Sequence, residues 1–222
     1  AELITTTLLL ISMILSWIAF VDVGFAHHDA RVPVFTWMVA GDLKVEWSLR
    51  IDTLTAVMLV VVNTISAFVH LYSIGYMRED PYRPRFFGYL SMFTFAMLML
   101  VTADNLVQLF FGWEGVGLAS YLLIGFWYHK PEANAAAIKA FIVNRIGDYA
   151  FILGTLLTVV TVGSLDFREI ATRVSTMSPE VTFGTLSLIT LLLFIGATGK
   201  SAQIPLYVWL PDAMEGPTPV SA

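Results

Sequence analysis

Residues 106–127 read LVQLFFGWEGVGLASYLLIGFW, an apolar stretch long enough to cross a hydrocarbon layer of about 30 Å and interrupted by a single charged side chain, Glu114. A soluble core of this size has no room for several such stretches, so the bilayer is their solvent. Working outward, the same reading gives spans over 3–23, 54–72, 86–101, 136–162 and 181–210. The fold class predicted is all-α, a polytopic transmembrane bundle of about six helices, the last broken near Pro205.

Composition agrees. Apolar residues make up 57% of the chain and charged residues 13%, about half the ~25% of a soluble domain. There is no cysteine, which excludes disulfides, cysteine-held iron–sulfur clusters and thiol nucleophiles. The net charge of −5 and the scattered Lys and Arg argue against nucleic acid as a partner and against a polybasic lipid patch. The run over 3–23 lacks a basic leader and a small-residue cleavage site, so it reads as a retained helix. Basic residues in alternate loops balance and leave the orientation open: Arg31, Lys44, Arg50, Arg168 and Arg173 against Arg78, Arg83, Arg85, Lys130 and Lys139.

The chain reads as a single membrane domain, 1–222, with two surface features. From Asp42 to Asp52 polar and apolar residues alternate strictly, predicting a β-hairpin over 33–52 that turns at Gly41. Over 164–176, Phe167, Ile170, Ala171 and Val174 recur at helical spacing behind Asp166 and Glu169, predicting a short interfacial helix capped at its start. Residues 75–85 form a polar loop bounded by helix breakers. Asn105 with Gln108 resembles a capping box, and Ser178 before Pro179 an N-cap with proline at the first helical position.

Charges inside the spans carry the chemistry. Glu114 sits about 12 Å from its helix start, near the membrane midplane. A carboxylate there costs at least ~2.5 kcal/mol unless protonated, paired or hydrated, and each remedy makes its proton exchangeable. The alternative is a structural Glu neutralised by a neighbouring helix. Lys200 lies well inside the last span. Pro205 cannot donate to the Ser201 carbonyl, so the helix is expected to break beside Lys200 and line a hydrated cavity; otherwise it is a kink with a structural cation. Arg145 and Asp148 share a face of the fifth helix and can pair, as a clamp or as conduction residues. Lys139 either snorkels to the interface or stands as a relay between acids. His70 is placed near a helix end and His27, His28 and His129 in loops, so no pair at matched depth is set to ligate a haem. Glycine-rich phosphate loops, zinc helices and nucleophile motifs are absent.

Three motifs taken together are specific: 112–118 (GWEGVGL), Lys139-Ala140-Phe141 with Arg145-Ile146-Gly147-Asp148, and 199–205 (GKSAQIP) running into Gly216-Pro217-Thr218-Pro219. They resemble the antiporter-like membrane subunits of respiratory complex I, NADH:quinone oxidoreductase, of the subunit L (chain 5) type. The resemblance implies that Glu114 and Lys200 form the charge pair of a proton half-channel, modulated by Asp148 and by nearby basic residues. It implies no redox cofactor in this chain, with NADH, FMN, iron–sulfur clusters and quinone held by other subunits. The implied partners are other membrane-arm subunits, above all the neighbouring antiporter-like one, and the lipid bilayer. The implied location is a bacterial plasma membrane, with the mitochondrial inner membrane as alternative. Because the family normally has one more helix before residue 1 and a second, inverted repeat after residue 222, the resemblance also implies a fragment. A multisubunit cation/proton antiporter or membrane-bound hydrogenase shares the Glu and Lys positions, and a scaffold whose charges serve helix registration is a different class of reading.

Overall fold

The computed structural model describes residues 2–26, 28–41, 43–177 and 183–221. Helix α1 (Glu2–Ala26) leads into a hairpin of β1 (Ala30–Ala40) and β2 (Leu43–Ile51). There follow α2 (Thr53–Tyr76), α3 (Arg83–Val101), α4 (Leu106–Ile124), α5 (Pro131–Val162), α6 (Phe167–Ser175) and α7 (Thr185–Lys200), then two short 3-10 turns, Asp212–Glu215 and Thr218–Val220. α1 to α5 are long and apolar enough to cross a membrane; α7, with 16 residues, is shorter.

Helices pair as α1 on α2, α3 on α4 and α5 on α7. Lipid is as apolar as leucine, so association relies on polar contacts and close backbone approach. Between α1 and α2 the contact is polar: buried Asn63 donates to Ser16 Oγ at 2.6 Å and accepts from Ser12 Oγ at 3.0 Å. Elsewhere it is steric. A Cβ at Gly112 would stand 2.5 Å from Leu100 N, and one at Gly115 2.9 Å from Ala96 Cβ, so α4 lies against the α3 backbone. Gly147 of α5 faces Gly196 and Gly199 of α7 in the same way.

Several helix starts follow the local chemistry. Asp52 caps α2 by accepting from Thr55 N at 2.9 Å, and Asp166 caps α6 by accepting from the N–H groups of Arg168 and Glu169. Asn105 accepts from Gln108 N at 2.8 Å, but the capping box is half made: Gln108 Oε1 turns instead to Ser48 N in β2 at 3.1 Å. The Ser178–Pro179 cap lies outside the described residues, and α7 begins behind Gly184.

The sixth span, read over 181–210 with a break beside Lys200, does break there: α7 ends at Lys200, and 201–211 is a chain of turns in place of the second helical segment. Proline at 205 withholds its N–H from Ser201 and its ring excludes helical geometry just before it, so the break propagates back to Ser201. The exposed carbonyls are met locally. Trp209 Nε1 donates to Gly199 O at 3.0 Å, Gln203 N to Thr198 O at 3.0 Å and Ser201 Oγ to Ala197 O at 2.7 Å. The polar loop before α3 is shorter than expected, because α2 continues to Tyr76 and α3 begins at Arg83.

The hairpin turns at Gly41, whose φ of +60° suits glycine, and its first strand begins at Ala30, paired with Ile51. It lies over the α3–α4 connection. Arg50 N donates to Thr102 O at 2.9 Å, Asn105 Nδ2 to Glu46 O at 2.8 Å, and Trp47 meets Trp37 and Phe111, each at 5.0 Å between ring centres. Beneath it Arg31 of β1 bridges Asp104 and Asp166, tying the hairpin to the starts of α4 and α6. Burial pushes the Asp104 carboxyl up, with Arg31 pulling it the other way.

Replacing Gly112 by Ala in the full-length chain is expected to cost about 1–3 kcal/mol through backbone overpacking, read as a fall of roughly 2–10 °C in the apparent melting temperature in detergent. Gly88→Ala, whose added methyl meets nothing within 4 Å, is the control expected to melt as wild type.

Candidate functional site

Four charged side chains from three helices form an alternating line. Glu114 of α4 accepts from Arg145 Nη1 of α5 at 2.5 Å; Arg145 Nε stands 3.9 Å from Asp148 Oδ2 one turn further along α5; and Lys200 Nζ of α7 stands 3.8 Å from Asp148 Oδ1. Two acids and two bases sum to zero, which lets the cluster sit in low dielectric where a lone charge would not.

Each element supplies its member for a local reason. α4 and α5 lie close enough for a short Arg145–Glu114 contact, with the guanidinium also 4.8 Å over the Phe141 ring. Asp148 is buried, and Trp113 Nε1 donates to its Oδ1 at 2.7 Å while the indole stacks on Phe151. Lys200 closes the line because α7 stops there. The glycine pairing of α7 with Gly147 brings that end beside the middle of α5, and a cation suits a helix C-terminus. Gly117 leaves the space: a Cβ there would come within 2.6 Å of the Lys200 ammonium.

Lys200, which the sequence places inside the last span beside a helix break, is the last helical residue of α7, held beside the middle of α5. The resemblance implies that Glu114 and Lys200 form a charge pair; among the described residues their ion partners are Arg145 and Asp148 respectively, with Lys200 one turn along α4 from Glu114. Lys139 stands apart from the line. It pairs with Asp212 at 2.6 Å, both about 43% exposed, and so fastens α5 to the turn after the broken segment.

Beside the line lies a cavity of about 380 Å³, lined by Asn144, Arg145, Asp148 and Lys200 among apolar walls that include Trp113 and Phe141. It has room for on the order of ten waters at ~30 Å³ each. Glu114 Oε1 and Asn144 Oδ1 are buried without a protein hydrogen-bond partner, so both retain accepting capacity. Sequence reasoning passed over Trp113, Asn144 and Asp212. Indole and amide groups are unremarkable in an apolar run, and Asp212 behind Pro211 reads as a loop acid.

Fold and site together define a polytopic α-helical membrane protein with a neutral line of charged side chains at a helix break. Residues 103–222 match the family model described as NADH:quinone oxidoreductase/Mrp antiporter, TM, and residues 37–87 the one described as NADH-Ubiquinone oxidoreductase (complex I), chain 5 N-terminus. The chain belongs to the NADH:quinone oxidoreductase/Mrp antiporter membrane family. It is 53% identical to NADH-quinone oxidoreductase subunit L of Rickettsia conorii, covering 100% of this chain and 34% of that protein. It is 52% identical to NADH-ubiquinone oxidoreductase chain 5 of Arabidopsis thaliana, with coverage of 100% and 34%. The chain thus spans about a third of the length of the curated relatives it matches. Among solved structures it is similar to a chain of the Mrp complex from Dietzia sp. DQ12-45-1b, with a TM-score of 0.78, 29% identity, and coverage of 99% of this chain and 25% of that one. The membrane-bound sulfane sulfur reductase, an archaeal respiratory membrane complex, shares the fold at a TM-score of 0.81, 19% identity, and coverage of 99% and 43%.

Removing one member of the line should cost more than removing the outer pair. Arg145→Ala strands Glu114 and is expected to destabilise by about 2–4 kcal/mol, discounted for its one-third exposure. Lys139→Ala is expected to cost under ~1 kcal/mol. Adding Glu114→Gln to Arg145→Ala should recover part of the loss; a purely additive double variant in thermal melts would show that the two side chains are uncoupled.

Proposed function

We propose that this chain is part of a membrane-arm subunit of NADH:quinone oxidoreductase, translocating protons through a charged half-channel coupled to quinone reduction elsewhere in the complex. The observation that carries this reading is the Glu114–Arg145–Asp148–Lys200 line beside a cavity at a helix break. Arg145 is shared unequally between two acids. When Glu114 takes up a proton it loses its hold on Arg145, which is then drawn to Asp148 in the same turn of α5. A closer guanidinium satisfies Asp148 and loosens its attraction for Lys200, whose ammonium then sheds its proton into the cavity more readily. Loss of a proton from Glu114 reverses the sequence. The four groups act as a switch in which charge at one end sets proton affinity at the other.

In this reading the chain binds no redox cofactor. NADH, FMN, iron–sulfur clusters and quinone belong to other subunits, the neighbouring antiporter-like subunit is a partner, and the location is a bacterial plasma membrane or the mitochondrial inner membrane. Glu114, Lys200, Asp148 and Arg145 move the proton, and Lys139 with Asp212 holds the broken segment in place. The likeness to the Mrp complex chain favours a second reading, a subunit of a multisubunit cation/proton antiporter. A sodium gradient would then drive proton movement without NADH.

The test is Glu114→Gln in the full-length chain within its complex, reconstituted into vesicles, with NADH-driven proton uptake and quinone reduction measured in one sample. Gln keeps the size and removes the titration, so uptake is expected to fall at least tenfold while the complex still assembles. Wild-type uptake would make the line structural, as the scaffold reading holds.

A further inference from the structure

A buried titratable group outside the line remains unused. His70 was placed by sequence near a helix end; because α2 continues to Tyr76 it lies within the helix and is fully buried. Its Nδ1 lies 2.9 Å from Ser66 O, an acceptor with no proton to give, so Nδ1 carries the ring hydrogen. Nε2 then bears the lone pair and faces Ser91 Oγ of α3 at 3.3 Å, which donates to it. A hydroxyl rotates, so Ser91 can turn from donor to acceptor when Nε2 takes a proton, and the ring changes charge without losing either hydrogen bond.

The other side of the ring leads toward the site. Ser66 Oγ is 3.5 Å from Nδ1 and 2.6 Å from Thr94 Oγ1, and both hydroxyls line a second cavity of about 480 Å³. That cavity and the one holding Lys200 and Asp148 share walls at Phe93, Met97, Ser120, Ile124 and Trp209, with the Ser120 hydroxyl on the partition. Hydroxyl, imidazole, hydroxyl pair, cavity and hydroxyl thus form a polar succession from α2 and α3 to the charge line.

We propose that His70 is a proton-holding residue on a side branch, joined to the Lys200 cavity through the Ser66–Thr94 hydroxyl pair. This inference rests on the proton-translocation reading above. In transfer, a proton arriving by way of Ser91 binds Nε2, and Nδ1 releases its own to Ser66 Oγ. Ser66 passes its hydroxyl proton to Thr94, and Thr94 gives one to water in the second cavity. One proton enters and one leaves. The ring is left as its other tautomer and resets when a proton runs the path backward or the ring turns over.

The experiment uses the full-length chain in the assembled complex in vesicles and reads protons taken up per NADH oxidised between about pH 6 and pH 8. His70→Gln keeps a donor and an acceptor without titration, and is expected to lower the ratio at least twofold and to change its pH profile. Ser91→Ala, which leaves the ring packed but empties the position facing Nε2, is expected to do the same and keeps the test available should the first variant fail to assemble. A wild-type ratio and profile in either assembled variant overturns the proposal. Glu114→Gln in the same assay separates the two claims. If it abolishes uptake while the His70 variant pumps normally, the side branch alone is wrong; if it leaves uptake intact, the translocation reading fails first.

Discussion

Inside a bilayer no water is available to satisfy a stranded polar group, and this protein nevertheless ends a helix at membrane depth with an ammonium on its last residue. The rest of the site follows from that constraint. The carbonyls freed at the end of α7 are taken up by Trp209, Gln203 and Ser201, and the Lys200 charge is met by Asp148. Asp148 cannot then be left with one long contact, so Trp113 donates to it and Arg145 approaches from the same helix. Arg145 in turn brings in Glu114. A neutral cluster is the least costly way to keep four ionisable groups in low dielectric, and its unequal spacings of 2.5, 3.9 and 3.8 Å leave it responsive to one added proton.

Close helix approach makes the line possible. Helices in lipid are held by small residues and by hydrogen bonds worth about 0.6 kcal/mol each, with a few stronger. The glycines divide the labour. Gly112 and Gly115 bring α4 onto α3, Gly147 with Gly196 and Gly199 brings α7 onto α5, and Gly117 clears room for the lysine head group. The hairpin and α6 serve a different end. With Asn105, Gln108 and Arg31 they seal the backbone groups where α3 passes into α4, which fixes the register in which Glu114 meets Arg145.

Hydropathy, turn chemistry and helix caps were legible along the chain because each depends on a few neighbouring residues. The spans, the hairpin turn at Gly41, the Asp166 cap and the break imposed by Pro205 are of this kind. Intramembrane charge was legible too, since Glu114, Arg145, Asp148 and Lys200 stand out against apolar surroundings. Partners distant in sequence were not legible: Gln108 leaves its capping box for Ser48 in a strand 60 residues away, and Lys139 finds an acid 73 residues on.

What the sequence by itself determined is the solvent, the approximate limits of the five long membrane helices, and which side chains are too costly to be there without a use. Those follow from transfer energies and local backbone geometry, which each short stretch carries within itself. Who pairs with whom was decided by the tertiary structure. The ordering Glu114–Arg145–Asp148–Lys200, the cavity beside it and the inward position of His70 depend on helix rotation and on how far α7 reaches along α5. Shifts of a few ångströms in those relations exchange one ion partner for another, and no local pattern of residues encodes them.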